Sequence, residues 1–232
     1  MCAMFYTSPP SCVHRIRAGL GEAYLIENDA GLFLVDTGSP HCERIILRRM
    51  RALGRDDLRL IFITHAHLDH YGSAAALRRI TGAPIAIHPA DADAITQGET
   101  VLGETRGRGR LLSYLYPWLE HYLRPEPTPP DLLVNDGDTL APFGLSATVW
   151  HTPGHTAGSC SLMVREHLAF VGDLLSDGRQ PHPQRYFASD WKALRDSLVR
   201  LQSLRPTWIY AGHGRRPIHG AMLGTIITAL AD

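Results

Sequence analysis

The run Thr64-His65-Ala66-His67-Leu68-Asp69-His70 places four side chains able to ligate a metal within six residues. It follows Leu58 to Thr64, an apolar stretch that reads as a buried strand. Three further candidates each sit just after a β-like run: His155 in HTPGHT, Asp173 in FVGD and His213 in YAGHG. His65 and His67 alternate in an extended segment, so both project to one side and can share a cation. Asp69 and His70 follow in the turn and can reach a second position beside the first. A later histidine completes each centre, and a carboxylate between two cations can bridge them. Hydroxide held between two divalent cations is a strong nucleophile at neutral pH, because metal binding lowers the pKa of water from about 16 toward about 7. The same cations polarise a carbonyl or phosphoryl oxygen, so no Ser or Cys nucleophile is required. The chemistry this set can support is dinuclear, metal-assisted hydrolysis.

Strands and their end turns must carry these side chains. Ala23 to Glu27 and Gly31 to Val35 are short apolar runs joined by Asn28-Asp29-Ala30-Gly31, a hairpin signal. His41 to Leu53 has helical spacing, with Pro40 suited to its first turn and Gly54 to its end. After the histidine motif, a helix is expected from Ser73 to Ile80, closed by Gly82. A strand then runs from Pro84 to His88, and a short helix from Ala90 to Ile95. In the second half, strands are expected at 132–134, 145–150, 159–164, 167–171 and 207–211. Helices are expected over 190–204 and 217–230. Two strand-rich halves with flanking helices suggest two sheets packed together with helices outside.

Residues 96–130 break this pattern. GETRGRGR is polar and flexible, EPTPP is a rigid proline linker, and RLLSYLYPWLEHYL between them is unusually aromatic. Leu111, Leu115, Trp118, Leu119 and Tyr122 fall on one helical face, and Pro117 either starts a second short helix or kinks the first. The segment reads in three ways: helices capping the core, a lid or wall over a substrate pocket, or a dimer contact. A substrate-facing wall implies a partly apolar substrate. Oligomeric state is left open, a homodimer among the readings.

The bulk properties exclude several partners. Charge is balanced, 23 basic against 23 acidic residues, and no Lys/Arg block is long enough to suggest a nucleic-acid partner. Arg106, Arg108 and Arg110 alternate with Gly and Thr, the pattern of a solvated loop. No stretch approaches the roughly 18 apolar residues of a membrane span, and MCAMFYTSPPSC lacks the features of a secretory signal. The chain reads as soluble and cytoplasmic, acting on a small molecule. The four cysteines form neither a CxxC pair nor a disulfide framework. Among the remaining histidines, His14, His41, His121, His167 and His219 read as surface or core residues, whereas His88 and His151 are ambiguous, His151 being placed to stack near the site.

H-x-H-x-D-H at a strand-to-helix turn, Leu34-Val35-Asp36-Thr37-Gly38 upstream, the later ligands in order and the closing Ala211-Gly212-His213-Gly214 together resemble the metallo-β-lactamase superfamily over nearly the whole chain. The resemblance implies one α/β domain over 1–232, an αβ/βα four-layer sandwich of two mixed β-sheets flanked by helices. It implies that His65, His67 and His155 bind a first metal, that Asp69, His70 and His213 bind a second, and that Asp173 bridges. It also implies that Asp36 supports the metal shell through hydrogen bonds, as outer partners of ligand imidazoles do. Zinc is expected, although an N/O donor set also accepts iron or manganese.

Fold does not fix the reaction. β-Lactamases are similar to this chain up to the third histidine but carry Cys or Ser where Asp173 stands. A bridging aspartate resembles the glyoxalase II and lactonase branches and the phosphodiester-cleaving branch. Glyoxalase II enzymes append a helical region for glutathione, whereas residues 214–232 alone follow His213 here. Many lactonases place a tyrosine soon after the bridging aspartate, where this chain reads Leu174-Leu175-Ser176. The expectation is therefore a dinuclear, zinc-dependent hydrolase of a small ester, lactone or thioester. Asp69 would orient the nucleophile, and Tyr186, Trp118 and His182 are candidates to contact substrate. Ser176, Arg179 and Arg185 lie in the same loop. The alternatives are a phosphodiester or phosphotriester hydrolase on the same site, and a mononuclear-iron persulfide dioxygenase.

Overall fold

The computed structural model describes residues 8–178 and 180–228, with the side chains of Leu112 and Glu120 left aside. The first half lays down β1 (Val13–Ala18), β2 (Gly21–Asn28), β3 (Gly31–Val35), α1 (Glu43–Ala52), β4 (Leu58–Phe62), α2 (Leu68–Tyr71), α3 (Ala74–Thr81), β5 (Ile85–Ile87) and α4 (Pro89–Gln97). A two-residue strand β6 (Glu104–Thr105), the long helix α5 (Gly109–Leu123) and β7 (Leu132–Leu133) follow. The second half comprises β8 (Ala147–His151), β9 (Cys160–Val164), β10 (Leu168–Phe170), β11 (Leu175–Asp177), β12 (Pro181–Pro183), β13 (Phe187–Ala188), α6 (Trp191–Ser203), β14 (Trp208–Tyr210), β15 (Ile218–His219) and α7 (Leu223–Thr228).

Two mixed sheets form the centre. One has the order β1-β2-β3-β4-β5-β7, antiparallel across its first three strands and parallel from β3 onward. The other has the order β15-β14-β10-β9-β8, with a parallel pair at β10 and β14. Successive side chains of a strand face opposite ways, and the buried strands use both faces. In β3, Leu32 and Leu34 turn outward to pack with Ile46 of α1 and Leu77 of α3. Phe33 and Val35 turn inward to meet Val149, Leu162 and Phe170 of the second sheet. On the far side of that sheet, Ala169 and Ile209 pack with Leu194, Leu198 and Leu201 of α6. These three cores separate four layers, the αβ/βα sandwich expected.

Local chemistry sets the boundaries. Asn28 Oδ1 accepts from the backbone N–H of Ala30 and Gly31 and so closes the β2–β3 hairpin. Gly82 ends α3 in the left-handed conformation at φ 74°, as its missing Cβ allows. Asp190 Oδ1 caps α6 by accepting from Lys192 and Ala193 N–H. Helix α5 continues through Pro117 as one element. The helix expected over 217–230 is corrected: Ile218 and His219 pair with Ile209 and Trp208 as an edge strand, and helix α7 covers only Leu223–Thr228. Residues 229 and 230 lie outside the described residues. Ile218 is drawn into the sheet because its side chain buries there, and His219 Nδ1 then accepts from Ala221 N–H to start a short 3-10 turn.

Two small pairings unforeseen from the sequence matter for the site. β6 pairs antiparallel with β13, Glu104 opposite Ala188, which fastens the start of the aromatic segment to the second half. β11 pairs with β12 in the stretch after Asp173. No helix among the described residues is long and apolar enough to cross a membrane.

Candidate metal centre

His65, His67, Asp69 and His70 leave the end of β4, His155 follows β8, Asp173 follows β10, and His213 follows β14. All seven converge at one end of the sandwich. Three overlapping groups have ligand atoms within 4.8 Å of one another: His65, His67 and His155; His65, His70 and Asp173; and Asp69, His70 and His213. Asp173 stands between the others, with Oδ1 3.3 Å from His70 Nε2 and Oδ2 3.5 Å from His155 Nε2 and 3.2 Å from His213 Nε2. Asp69 Oδ2 lies 3.4 Å from His213 Nε2.

Each imidazole is tethered through the ring nitrogen that points away from the cluster. His67 Nε2 lies 3.0 Å from the Val101 carbonyl, His155 Nδ1 2.9 Å from that of Phe187, and His213 Nδ1 3.2 Å from that of Leu20. Carbonyls only accept, so these nitrogens carry the proton. Asp36 Oδ2 accepts a hydrogen bond from His70 Nδ1–H at 2.8 Å. It also accepts from the Thr64 hydroxyl, leaving that oxygen to accept from His65 Nδ1. Asp36 Oδ1 meanwhile accepts from Thr64 N–H, so this one carboxylate orients two neighbouring ligands.

The inward nitrogens are consequently bare in the neutral rings. His67 Nδ1 and His155 Nε2 face each other at 2.9 Å, two lone pairs with no proton between them once their outer tethers are made. His65 Nε2 is buried without a hydrogen-bond partner, and His70 Nε2 and Asp173 Oδ1, equally buried, have only their 3.3 Å approach to each other. Buried polar atoms left unpaired are costly, and a cation is the partner that lone pairs converging from several sides require. The donor set of imidazole nitrogens and carboxylate oxygens suits zinc, iron or manganese. The residues fit a pair of divalent cations.

Electrostatics divide the cluster. Burial, with His67 beside it, drives His155 down to about 3. Burial likewise lowers His67, and burial with His70 and His155 nearby holds His65 well below the ordinary histidine range. The Asp173 carboxylate raises His213 to about 9 against the opposing effect of burial. Burial disfavours charge on His70 too, but Asp173, Asp36 and Asp69 outweigh it and hold His70 well above the usual value. Burial would raise Asp173, yet His213 and His70 outweigh it and keep the carboxyl well below its usual range. Without a cation, one half of the site holds neutral rings and the other holds imidazolium–carboxylate pairs.

Two supporting residues carried no signal at the level of motif. Asp91, buried in the first turn of α4, accepts from Ala66 N–H at 2.8 Å, Thr156 Oγ1 at 2.7 Å and Gly158 N–H at 2.7 Å. It therefore ties the turn between His65 and His67 to the turn that follows His155. Gln184 Nε2 donates to Asp173 Oδ2 at 3.3 Å. Gly212 is required beside these ligands, since a Cβ there would collide with Asp173 Oδ1 and lie 2.5 Å from His70 Cε1.

The cluster floors a pocket of about 670 Å³. Trp118 is in its wall, together with Leu115, Leu119 and Tyr122 of α5. Tyr186 and His182 are not among the lining residues, and Phe187 occupies the wall instead. His182 is drawn into β12, its Nδ1 2.8 Å from the Pro183 carbonyl, and the Tyr186 backbone supports α5 by accepting from Arg106 N–H. Ser176 pairs in β11 and bridges to His213 along the backbone. Arg185 is exposed and outside the pocket lining, and Arg179 lies outside the described residues. His151 stacks on His88, ring centroids 4.0 Å apart.

Residues 16–213 match the metallo-beta-lactamase superfamily, and the chain belongs to it. The probable metallo-hydrolase YflN of Bacillus subtilis is 25% identical, over 95% of this chain and 90% of that one. The acyl-coenzyme A thioesterase MBLAC2 of Gallus gallus is 31% identical over 51% of this chain and 42% of its own. Among solved structures, TTHA1623 in a di-iron-bound form is 29% identical with a TM-score of 0.69, covering 89% of this chain and 93% of that one.

Asp91→Asn should weaken divalent-metal affinity on the order of 10–100-fold, the size of effect seen for outer partners of metal ligands; competition with a chromophoric chelator checks this. Metal uptake at pH 7 should release protons, because His213 and His70 are held protonated there. Release should fall as pH rises through about 9, where His213 of the metal-free protein has lost its proton. Calorimetry in buffers of differing ionisation enthalpy reads the proton count, and pH-independent uptake would contradict the assignment.

Proposed function

We propose that this chain is a dinuclear, zinc-dependent hydrolase acting on a small neutral ester, lactone or thioester. His65, His67 and His155 would hold one cation, Asp69, His70 and His213 the other, and Asp173 would lie between them. When bound, the cations supply Lewis acidity toward a carbonyl oxygen and lower the pKa of water. The observation that carries this reading is the set of inward lone pairs at the floor of an open pocket, each held by its own outer tether.

The remaining chemistry belongs to side chains. Asp173 is buried and paired with His70 and His213, so it stays ionised and serves as a fixed negative charge. Asp69 also lines the pocket, and its carboxylate is 17% exposed. It can orient an attacking water and take its proton at Oδ2. Val101, Leu20 and Phe187 hold the rings of His67, His213 and His155 through backbone carbonyls, so these ligands do not turn away as substrate enters. Residues 96–130 act as a cap: β6 anchors the segment at one end and α5 walls the pocket.

Charge favours a carbonyl substrate over a phosphorylated one. Among the described residues no Lys or Arg lines the pocket, and a phosphodiester or phosphotriester hydrolase would have little besides metal to hold phosphoryl oxygens. A thioester is supported by the partial likeness to MBLAC2, and a di-iron site by the likeness to TTHA1623, which makes iron the second candidate cation. A persulfide dioxygenase would need one iron on two histidines and one aspartate; seven converging ligand residues favour the dinuclear reading.

On a panel of esters, lactones and thioesters, Asp69→Asn should lower kcat by about 10²–10⁴-fold, the range for loss of a positioned acid–base group. His67→Ala should do so at least as strongly, with circular dichroism unchanged in both. Near-normal turnover by folded, metal-stripped protein would sink the mechanism, and preference for a phosphodiester would move the chain to the phosphodiesterase branch.

A further inference from the structure

Helix α5 leaves an unusual amount of apolar surface uncovered. Leu115 is 61% exposed, Trp118 73%, Leu119 37% and Tyr122 64%. Their spacing of three and four residues puts them on one stripe, and all four line the pocket that the ligand cluster floors. Exposed apolar patches of this kind mark sites that bind something apolar. Leu102 and Phe187 contribute further wall, whereas the charged lining consists of cluster residues alone. The stripe is held at both ends. At the N-terminal end, Gly109 lies against the Tyr186 backbone and Arg106 stacks over Trp191, 4.3 Å from the ring centroid. At the C-terminal end, Arg124 donates to the carbonyls of Gly98 and Gln97.

Resting on the hydrolase reading, we infer that this stripe is an acyl subsite: the substrate is a fatty acyl ester or thioester whose hydrocarbon chain lies along α5 while its carbonyl meets the ligand cluster. Leu115 to Tyr122 span about 10 Å of helix axis, the length of an extended chain of roughly eight or nine carbons, whose zigzag advances somewhat less than the ~1.5 Å C–C bond length per bond. Among the described residues no Lys or Arg lines the wall along α5, and the only positive charge is at the ligand cluster itself, so the part of the substrate that lies along the stripe is neutral. Any charged portion of the leaving group stays outside, in solvent.

The test pairs turnover with binding on the metal-loaded protein. In matched series of 4-nitrophenyl esters and N-acetylcysteamine thioesters from two to twelve carbons, kcat/KM should rise about three- to fourfold per methylene and level off near eight. Uncharged, non-hydrolysable 1-alkanols, followed by tryptophan fluorescence, should bind with the same chain-length slope. Trp118→Ala and Tyr122→Ser, at exposed positions, should each flatten both slopes. Turnover and alkanol affinity both independent of length would overturn the acyl subsite and leave the hydrolase standing. Length-dependent alkanol binding with no cleavage in either series would overturn the acyl ester or thioester as substrate, and no cleavage of a lactone as well would overturn the hydrolase. A solution dimer that Trp118→Ala dissociates, with no alkanol binding, would assign the stripe to a second copy and overturn the inference.

Discussion

Convergence of like groups is the constraint on which this molecule depends. Five imidazoles and two carboxylates point their polar atoms at one small volume, and the protons held by His70 and His213 do not satisfy all of them at once. His67 Nδ1 and His155 Nε2 at 2.9 Å are the sharpest instance, because both rings have committed their protons to outer carbonyls. Such an arrangement costs stability in the metal-free chain, through desolvated polar atoms and mutual repulsion. Cations remove that cost, so affinity for metal is built into the fold before any substrate arrives.

The sandwich is what makes this arrangement sustainable. Two sheets buried on both faces are rigid, and the ligands leave them at strand ends or the turns after them. Outer tethers come from different parts of the chain: Asp36 after β3, Leu20 between β1 and β2, Val101 before β6, and Phe187 in β13. Asp91 then locks two ligand turns to each other from α4. Residues 96–130 supply both the Val101 carbonyl that holds His67 and the α5 side chains that wall the pocket, so the ligand cluster and the pocket share one segment of chain.

Much of this was legible in the sequence because it rests on side-chain identity and strong periodicity. The clustered histidines, the later ligands after β-like runs, and the alternating buried strands all announce themselves in residue types. Asp36 was legible through the short motif that carries it. What stayed hidden was carried by backbone or by short pairings. A tether from the carbonyl of Val101, Leu20 or Phe187 leaves no trace in residue identity. The β6–β13 ladder is two residues long and joins segments far apart in the chain. Asp91 resembles any acid in a first helical turn; only the packing of α4 against both ligand turns turns it into a hub. A helix from 217 is compatible with the residue types there, but Ile218 finds a buried place in the sheet instead. Closeness to Asp173 in sequence does not fix which side chains of 174–187 meet the pocket: His182 pairs in β12, and Phe187 is the residue of this stretch in the wall.

Metal count per chain tests the central claim most directly, since every later step assumes two cations held by one shell. Elemental analysis of protein purified without chelator and without added metal should find two divalent ions per chain, zinc foremost. One iron per chain, accompanied by oxygen uptake with a persulfide substrate, would contradict the dinuclear hydrolase and place the chain among the dioxygenases.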